Sequence, residues 1–460
     1  MYWSDYYLPM AMFAALAILL FSGYPVALIL AGLAVSVGLI DLIFQISPYG
    51  FSMVEFLNFV LRTFGGLVEN LVLIAVPMFI FMGTMLEKSG VAQDLLHCLQ
   101  VLLRRIPGGL ALSVTIMGTI MAATTGIIGA SVVMMTLLAL PVMLEQKYSP
   151  SLATGTIAAS GTLGILIPPS IMLVLMADLL SISVGTLFLA AILPGLLLAI
   201  FYCIYIWAIS HLRPQMAPPL PADVGPDTHG ELAMLILKSF IPPVLLIILV
   251  LGSIFGGFAT PTEASGVGAF GATLLAIFNR KLNWAVLKDV VDRSAKTNAM
   301  LFFIFVGATA FSYVFRSLGG EDLVIDFIDH IGFGPWGILF LLMAVVFFLG
   351  FFFDWVEITL IVLPIFAPII GELDFSNHVP ITANVVPWFA ILIAINLQTS
   401  FLTPPFGFAL FYMKGAAPPE VKIQQIYAGI IPFVLLQLLG LGLVMAFPQI
   451  AMWLPTLILD

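Results

Sequence analysis

The sequence predicts an all-α polytopic membrane protein made of two inverted-topology repeats. Three observations lead to this fold class: an apolar composition, prolines that recur in both halves, and loop charges that change sign between the halves. Of the 460 residues, 62% are hydrophobic and 8% are charged, and the mean hydropathy is +1.18. Soluble domains carry roughly 25% charged residues. The composition therefore excludes a soluble protein, and the outer surface is expected to contact the lipid bilayer.

Prolines that interrupt hydrophobic segments recur in the same order in the two halves. A proline inside a membrane helix removes a backbone hydrogen bond and clashes with the preceding turn, so ordered recurrence indicates a duplicated, interrupted fold. Such helices are typical of secondary transporters. The corresponding prolines lie 223 to 238 residues apart: Pro25 and Pro261, Pro141 and Pro364, Pro168-Pro169 and Pro404-Pro405, and Pro194 and Pro432.

A proline-rich polar segment marks the boundary between the predicted repeats. We predict a first repeat over residues 1–210, a cytoplasmic linker over 211–230 and a second repeat over 231–460. Each repeat is expected to contain about five transmembrane helices and one re-entrant hairpin, since about 20 apolar residues span a bilayer. The predicted hairpins cover 109–144 and 335–370, and the predicted broken helices cover 153–179 and 386–413.

Shorter turn signals divide the first apolar stretch of each half into two helices. Met10–Phe44 contains Gly23-Tyr24-Pro25 near its middle. Phe240–Phe278 contains FGGFATPTEA over 255–264, in which Glu263 is predicted to cap the following helix.

Loops at corresponding positions carry charges of opposite sign. Cytoplasmic loops concentrate Lys and Arg, so the two repeats are predicted to have opposite orientations. With the N-terminus outside, the linker inside and the C-terminus outside, only Arg62 and Arg316 of the 15 basic residues lie on the outer side. The charges before the two hairpins are Lys88, Arg104 and Arg105 in the first repeat, and Glu321, Asp322, Asp326 and Asp329 in the second.

Small and hydroxyl-bearing residues precede each Pro-Pro pair, in GTLGILIPPS (161–170) and LQTSFLTPPF (397–406). A break at each pair frees backbone carbonyls and exposes a half-helix N-terminus. Carbonyl and hydroxyl oxygens suit a hard cation such as sodium, and positive helix ends suit a carboxylate. A packing kink is the alternative for either pair alone. The hydroxyls are those of Thr162, Ser170, Thr399, Ser400 and Thr403, and the breaks are predicted at Pro168, Pro169, Pro404 and Pro405.

Both predicted hairpins are also interrupted near their middle. The first breaks at Thr124-Thr125-Gly126 and Gly129-Ala130-Ser131, and the second around Phe353-Asp354-Trp355. Two tips entering from opposite faces would meet near the midplane, where inverted-repeat carriers bind ions and substrate. An acid there costs about 2.5–3.5 kcal/mol, so Asp354 is either functional or a helix cap. The predicted substrate-binding residues are Thr125, Gly126, Ser131, Ser170 and Asp354.

Six stretches of the chain resemble the large membrane subunit (DctM-type, M) of tripartite ATP-independent periplasmic (TRAP) transporters. The resemblance covers nearly the whole chain. One departure is the first hairpin tip, TTGIIGAS (124–131), where the family more often has a Gly-Ser-Ser-rich turn. The stretches are FMGTMLEKSG (81–90), RIPGGLALSV (105–114), SGTLGILIPPSI (160–171), FATPTEASGV (258–267), GFFFD (350–354) and LTPPFGFALF (402–411).

The resemblance implies an elevator-type secondary transporter with scaffold and transport domains in the bacterial inner membrane. It implies that sodium ions, as coupling ions, drive uptake of a small organic acid. It also implies two partners: a periplasmic substrate-binding protein (P type) and a small four-helix membrane subunit (Q type). By motif, the sodium sites would involve Gly161, Thr162, Gly164, Thr399 and Thr403, and the substrate cavity Ser131 and Asp354.

Two other functions are weighed against this interpretation. A self-sufficient carrier of the broader ion-transporter superfamily would share the paired hairpins without needing a binding protein. An intramembrane enzyme would need HExxH, GxSxG in a suitable context or paired aspartates, which the sequence lacks. Cys98 and Cys203 lie in separate segments and predict neither a disulfide nor a metal cluster. No cofactor other than sodium ions and no nucleic-acid partner is expected.

Overall fold

The computed structural model describes residues 6–48, 51–126, 128–220, 225, 228–404 and 407–459. The regular elements assigned within these ranges are helices. Seven helices of the described chain are long and apolar enough to cross a membrane, or eight if one bent pair is a single span. The protein is therefore a polytopic helical membrane protein.

The described residues of the first half form ten α-helices. They are α1 (Tyr7–Leu20), α2 (Val26–Phe44), α3 (Met53–Thr63), α4 (Ala75–Lys88), α5 (Val91–Leu103), α6 (Gly109–Thr125), α7 (Ile128–Glu145), α8 (Pro150–Thr162), α9 (Ile171–Leu179) and α10 (Val184–Leu212).

In the second half, eleven α-helices are assigned within the described ranges. They are α11 (His229–Leu235), α12 (Ile241–Phe255), α13 (Pro261–Phe278), α14 (Trp284–Ser317), α15 (Gly320–Ile331), α16 (Pro335–Leu349), α17 (Trp355–Glu372), α18 (Val385–Leu402), α19 (Phe408–Ala416), α20 (Ile423–Ala446) and α21 (Gln449–Leu459).

Turn residues set the predicted helix boundaries. Gly23, with φ +80°, separates α1 from α2, because a left-handed backbone favours glycine. At the start of α13, the Thr260 hydroxyl accepts from the Glu263 amide, and the Glu263 carboxylate accepts from the Thr260 amide. This capping box confirms the predicted role of Glu263.

Three features of the helix order differ from the sequence prediction. The loops that precede the hairpins contain the helices α5 and α15, and α21 follows α20 where the second half was expected to end. The third segment of the first half is not straight, because the chain bends by 56° between α3 and α4. Asn70 stabilises this bend: its side-chain oxygen accepts from the Val72 amide at 3.0 Å.

Helices from the two halves pack together in two groups. In the first group, α4 packs along α13, and α2 packs along α14. In the second group, α8 packs along α20, α10 packs on α18, and α7 contacts α19. The crossing of α8 and α20 lies at Gly155 and Gly429, where small residues let the two backbones come close.

The glycine at this crossing provides a test of the packing. A Cβ at Gly429 would lie 2.8 Å from the Ser151 carbonyl carbon. Forcing atoms into a packed contact costs about 1–3 kcal/mol. We expect Gly429→Ala to lower the thermal unfolding midpoint of the purified protein in detergent. Gly442→Ala, on the same helix, is the control because a Cβ there meets no atom within 4 Å. Equal midpoints for both variants would contradict the described crossing.

Candidate functional site

The chain between α8 and α9 leaves the helical path inside the protein. After Thr162 a short 3-10 turn, Leu163–Ile165, leads to Pro168 and Pro169, which are joined by a cis peptide bond. Ser170 then precedes α9 with an extended backbone, and its hydroxyl donates to the Ile165 carbonyl at 2.7 Å. Thr162, Gly164 and Ser170 are fully buried. The break is enclosed, as non-helical backbone at membrane depth must be.

The second break, between α18 and α19, follows a run of hydroxyl side chains bound to their own helix. Thr399 donates to the Ile395 carbonyl, Ser400 to Leu397 and Thr403 to Thr399, each at 2.8 Å. In the first break Thr162 donates to the Ala159 carbonyl at 2.9 Å. A hydroxyl that donates its proton this way keeps its lone pairs for other partners. Pro404 follows directly, and Pro405 lies outside the described residues.

Buried amides lie between the two breaks, and sequence reasoning missed them. The Gln398 side-chain amide donates to the Thr162 hydroxyl at 3.4 Å and to the Tyr202 phenol at 3.5 Å. Gln437 donates to the same phenol at 2.8 Å. The side-chain oxygens of both glutamines are buried and have no hydrogen-bond partner in the described structure. The available signal was a glutamine directly before Thr399 in a predominantly apolar helix.

The first hairpin tip packs against the first break. Gly126 ends α6 with φ +59°, and a Cβ there would lie 2.9 Å from the Ile171 side chain and 3.3 Å from its amide nitrogen. In α7, Val132 occupies the space beside Gly161, where a Cβ would lie 2.6 Å from the valine methyl. Ser131 is buried in the same turn of α7. The Thr125 side chain lies outside the described part of the chain.

The second hairpin tip packs against the second break. Asp354 is the N-cap of α17: its carboxylate accepts from the Trp355 amide at 2.8 Å, and its own amide donates to Glu357 at 3.3 Å. The cap role that the sequence left open is therefore present in the structure. Gly350, at the end of α16, faces Ser400, since a Cβ there would lie 2.7 Å from the serine Cβ.

Tyr412 of α19 lies between the two hairpins. Its ring lies against Gly129 of α7, since a Cβ added at this glycine would lie 2.9 Å from the nearest ring atoms. It also lies within electrostatic reach of the Asp354 and Glu357 carboxylates. The Tyr412 ring, Gly129 and Ala130 line one wall of a cavity of about 750 Å³. We call this cavity the inner cavity. Its charged lining residues are Glu87, Lys88, Lys281 and Arg293.

The arrangement is that of a transport protein: an enclosed helix break at Pro168-Pro169, a second break after Thr403, two helix–turn–helix hairpins and a cavity at the first hairpin, all within a multi-pass helical fold. Residues 13–450 match the family described as "Tripartite ATP-independent periplasmic transporter, DctM component". The chain belongs to this family of large TRAP permeases. It is consequently a multi-pass inner-membrane transport protein and is not an enzyme.

Individual relatives agree with this assignment. The C4-dicarboxylate TRAP transporter large permease protein DctM of Pseudomonas aeruginosa is 30% identical, with 84% of this chain and 87% of that protein covered. The sialic acid TRAP transporter large permease protein SiaM of Vibrio cholerae is 28% identical, with 92% and 98% covered. The crystal structure of the Alcanivorax borkumensis YdaH transporter shares the fold, with a TM-score of 0.60 and 14% sequence identity. The match covers 87% of this chain and 88% of that chain.

The shared phenol tests the buried amide cluster. Tyr202→Phe removes the oxygen that accepts from Gln437, and leaving a buried donor unpaired costs about 1–3 kcal/mol. We expect the thermal unfolding midpoint in detergent to fall. Tyr205→Phe is the matched control, because both rings contact Phe433 edge-on, at 5.3 and 5.2 Å between centroids. A larger loss for Tyr205→Phe than for Tyr202→Phe would refute the importance of this cluster.

Proposed function

We propose that this chain is a sodium-coupled permease subunit that imports a small organic acid across the bacterial inner membrane. The observation that carries the proposal is the pairing of each break with a hairpin tip: Gly126 beside Ile171, and Gly350 beside Ser400. In each pair, freed carbonyls and hydroxyl lone pairs supply oxygen ligands for a hard cation. The proposed sodium residues are Gly161, Thr162, Gly164, Thr399, Ser400 and Thr403.

Helix packing supports two inverted repeats, residues 1–210 and 231–460, joined by a linker over 211–230. If α2 corresponds to α13 and α4 to α14, the contact of α4 with α13 repeats that of α14 with α2. In the same way, if α7 corresponds to α17 and α9 to α19, the contact between α7 and α19 repeats the contact between α17 and α9. Such exchange of equivalent contacts is expected of two copies related by a two-fold axis.

The two groups of helices support the elevator mechanism that we propose. We assign α1–α4 and α12–α14 to the scaffold, and the hairpins with the broken helices α8–α9 and α18–α19 to the transport domain. The second hairpin tip contacts the scaffold at the α1–α2 turn, where Phe21 packs on Phe352 with 5.1 Å between centroids. With the linker in the cytoplasm, that turn and the inner cavity lie on the cytoplasmic side. This arrangement corresponds to an inward-facing state.

The partners and the substrate class follow from the family. A tripartite periplasmic transporter needs two further components, which we propose are a periplasmic substrate-binding protein and a small four-helix membrane subunit. Relatives are named for C4-dicarboxylates and sialic acid, which supports a carboxylate as the proposed substrate class. We propose that Thr125, Gly126, Ser131, Ser170 and Asp354 contact it.

Sodium dependence tests the proposed cation sites. Thr162→Val and Thr403→Val keep the shape of the side chain but remove one oxygen, and losing a hydrogen-bonding group to a charge costs about 1.5–3 kcal/mol. Since 1.4 kcal/mol is tenfold in affinity, we expect about tenfold more sodium to be needed for half-maximal uptake by the reconstituted complex.

Thr154→Val is the control for these variants. Thr154 is buried in the same helix as Thr162 and likewise donates to a carbonyl of its own helix, at 2.7 Å to Pro150. We expect it to leave the sodium dependence unchanged. If Thr162→Val and Thr403→Val also leave the sodium dependence of uptake unchanged, the proposal that the two breaks bind sodium is wrong.

Asp354 provides a separate test of the substrate site. Asp354→Asn keeps the cap, because Asn and Asp cap helices about equally well, but it removes the charge. We expect normal assembly and thermal stability with uptake reduced about tenfold or more, a loss of at least 1.4 kcal/mol. Asp374→Asn is the control: this exposed carboxylate accepts from the Ser376 amide at 3.0 Å. If Asp354→Asn takes up substrate at the wild-type rate, Asp354 serves as a helix cap and has no role in substrate binding.

A further inference from the structure

A second cavity, of about 450 Å³, lies between α3, α14 and α17. Its polar lining contains two arginines and a stripe of hydroxyl residues. These residues are Arg62 from α3 and Thr309, Ser312, Tyr313, Arg316 and Ser317 from α14. On α14 they recur every three to four residues and therefore share one helix face. A polar face inside a membrane helix is expected to line a watery path and not lipid.

The two arginines of this outer cavity keep donors available for a ligand. Arg62 lies over the Tyr313 ring, with its guanidinium carbon 5.9 Å from the centroid. No ion pair within 4.0 Å joins Arg62 to a described carboxylate. Arg316 has only a loose ion pair, with 3.9 Å between its nitrogen and Glu321. Each guanidinium has five N–H donors, so most of them are not used by the protein.

A hydrogen bond between α14 and the second hairpin holds the Arg316 side chain in place. Its guanidinium donates to the Pro364 carbonyl of α17. In a helix that carbonyl would accept from the amide four residues later, which is Pro368 and has no N–H. Arg316 therefore satisfies a carbonyl that the helix leaves unpaired, and this contact holds the guanidinium at the cavity wall.

We propose that the outer cavity is an anion-binding site that receives the carboxylate of the organic acid before the hairpins take it. The inference rests on the proposed function and adds a site outside the hairpin tips. Arginines pair with carboxylates through parallel hydrogen bonds, and a cavity of this size suits a small ligand. The positive-inside rule disfavours basic residues on the outer side. The two expected there, Arg62 and Arg316, line the same cavity.

Cysteine protection tests binding without requiring transport. The complete transporter would carry Ser312→Cys in a Cys98→Ala, Cys203→Ala background and react with a membrane-impermeant maleimide. Succinate is the probe, and uncharged succinamide at matched ionic strength is its control. We expect succinate, at about ten times its dissociation constant, to slow labelling roughly tenfold by mass action. Thr309→Cys is the second reporter if Ser312→Cys does not assemble.

Charge variants decide whether the arginines bind the probe. Arg62→Gln and Arg316→Gln should each abolish the protection, whereas Arg105→Gln, which removes an exposed charge remote from the cavity, should retain it. Equal labelling in succinate and succinamide, or protection that survives both cavity variants, would overturn the site. Sodium-driven uptake is measured in parallel. With both arginines present, absent protection and intact sodium-driven uptake would count against this site alone. Intact protection and sodium-independent uptake would count against the proposed function alone.

Discussion

Hydrocarbon supplies no hydrogen bonds, and this constraint governs how the two helix breaks are built. At Pro168-Pro169 the chain loses regular helical bonding, and the structure encloses that backbone within protein. Hairpin tips provide the cover: Gly126 lies on Ile171, and Gly350 lies on Ser400. In both places a glycine permits an approach that any side chain would obstruct. Helix breaks and hairpins are thus mutually dependent, because a tip moved away would uncover the non-helical backbone that it packs against.

The polar groups within this enclosure follow one pattern. Hydroxyls at both breaks donate to carbonyls of their own helices, so their remaining capacity is to accept. Gln398 and Gln437 add buried amide oxygens that accept no hydrogen bond from the described part of the chain. Unpaired buried acceptors cost stability, and a site that accumulates oxygen lone pairs is electrostatically prepared for a cation. The Tyr202 phenol links the two amides and holds α10, α18 and α20 in register.

Charged residues concentrate at the edges of the two helix groups. On one side, Lys88 and Arg293 are paired with Asp289 at 2.9 and 3.1 Å, so the basic wall of the inner cavity is partly neutralised. On the other, Arg62 lies over the Tyr313 ring, and no described carboxylate is within 4.0 Å of its guanidinium. Asn70 at the α3–α4 bend donates to Asp178 of α9 at 2.7 Å, and Arg316 of α14 donates to the Pro364 carbonyl of α17. In an elevator mechanism such contacts would have to break and form again as the transport domain moves.

Local patterns determined much of this protein. Hydropathy predicted a polytopic membrane protein, turn residues such as Gly23 divided the helices, and Glu263 was identifiable as a cap because capping involves residues only three positions apart. The Pro-Pro stretches also indicated the candidate breaks, since proline acts on its own helix. Only the tertiary structure decided which groups meet. Gln398 contacts Thr162, and Arg62 shares a cavity with Arg316, across more than 200 residues of chain. Pairings at such separation depend on the packing of whole helices, which no local pattern encodes.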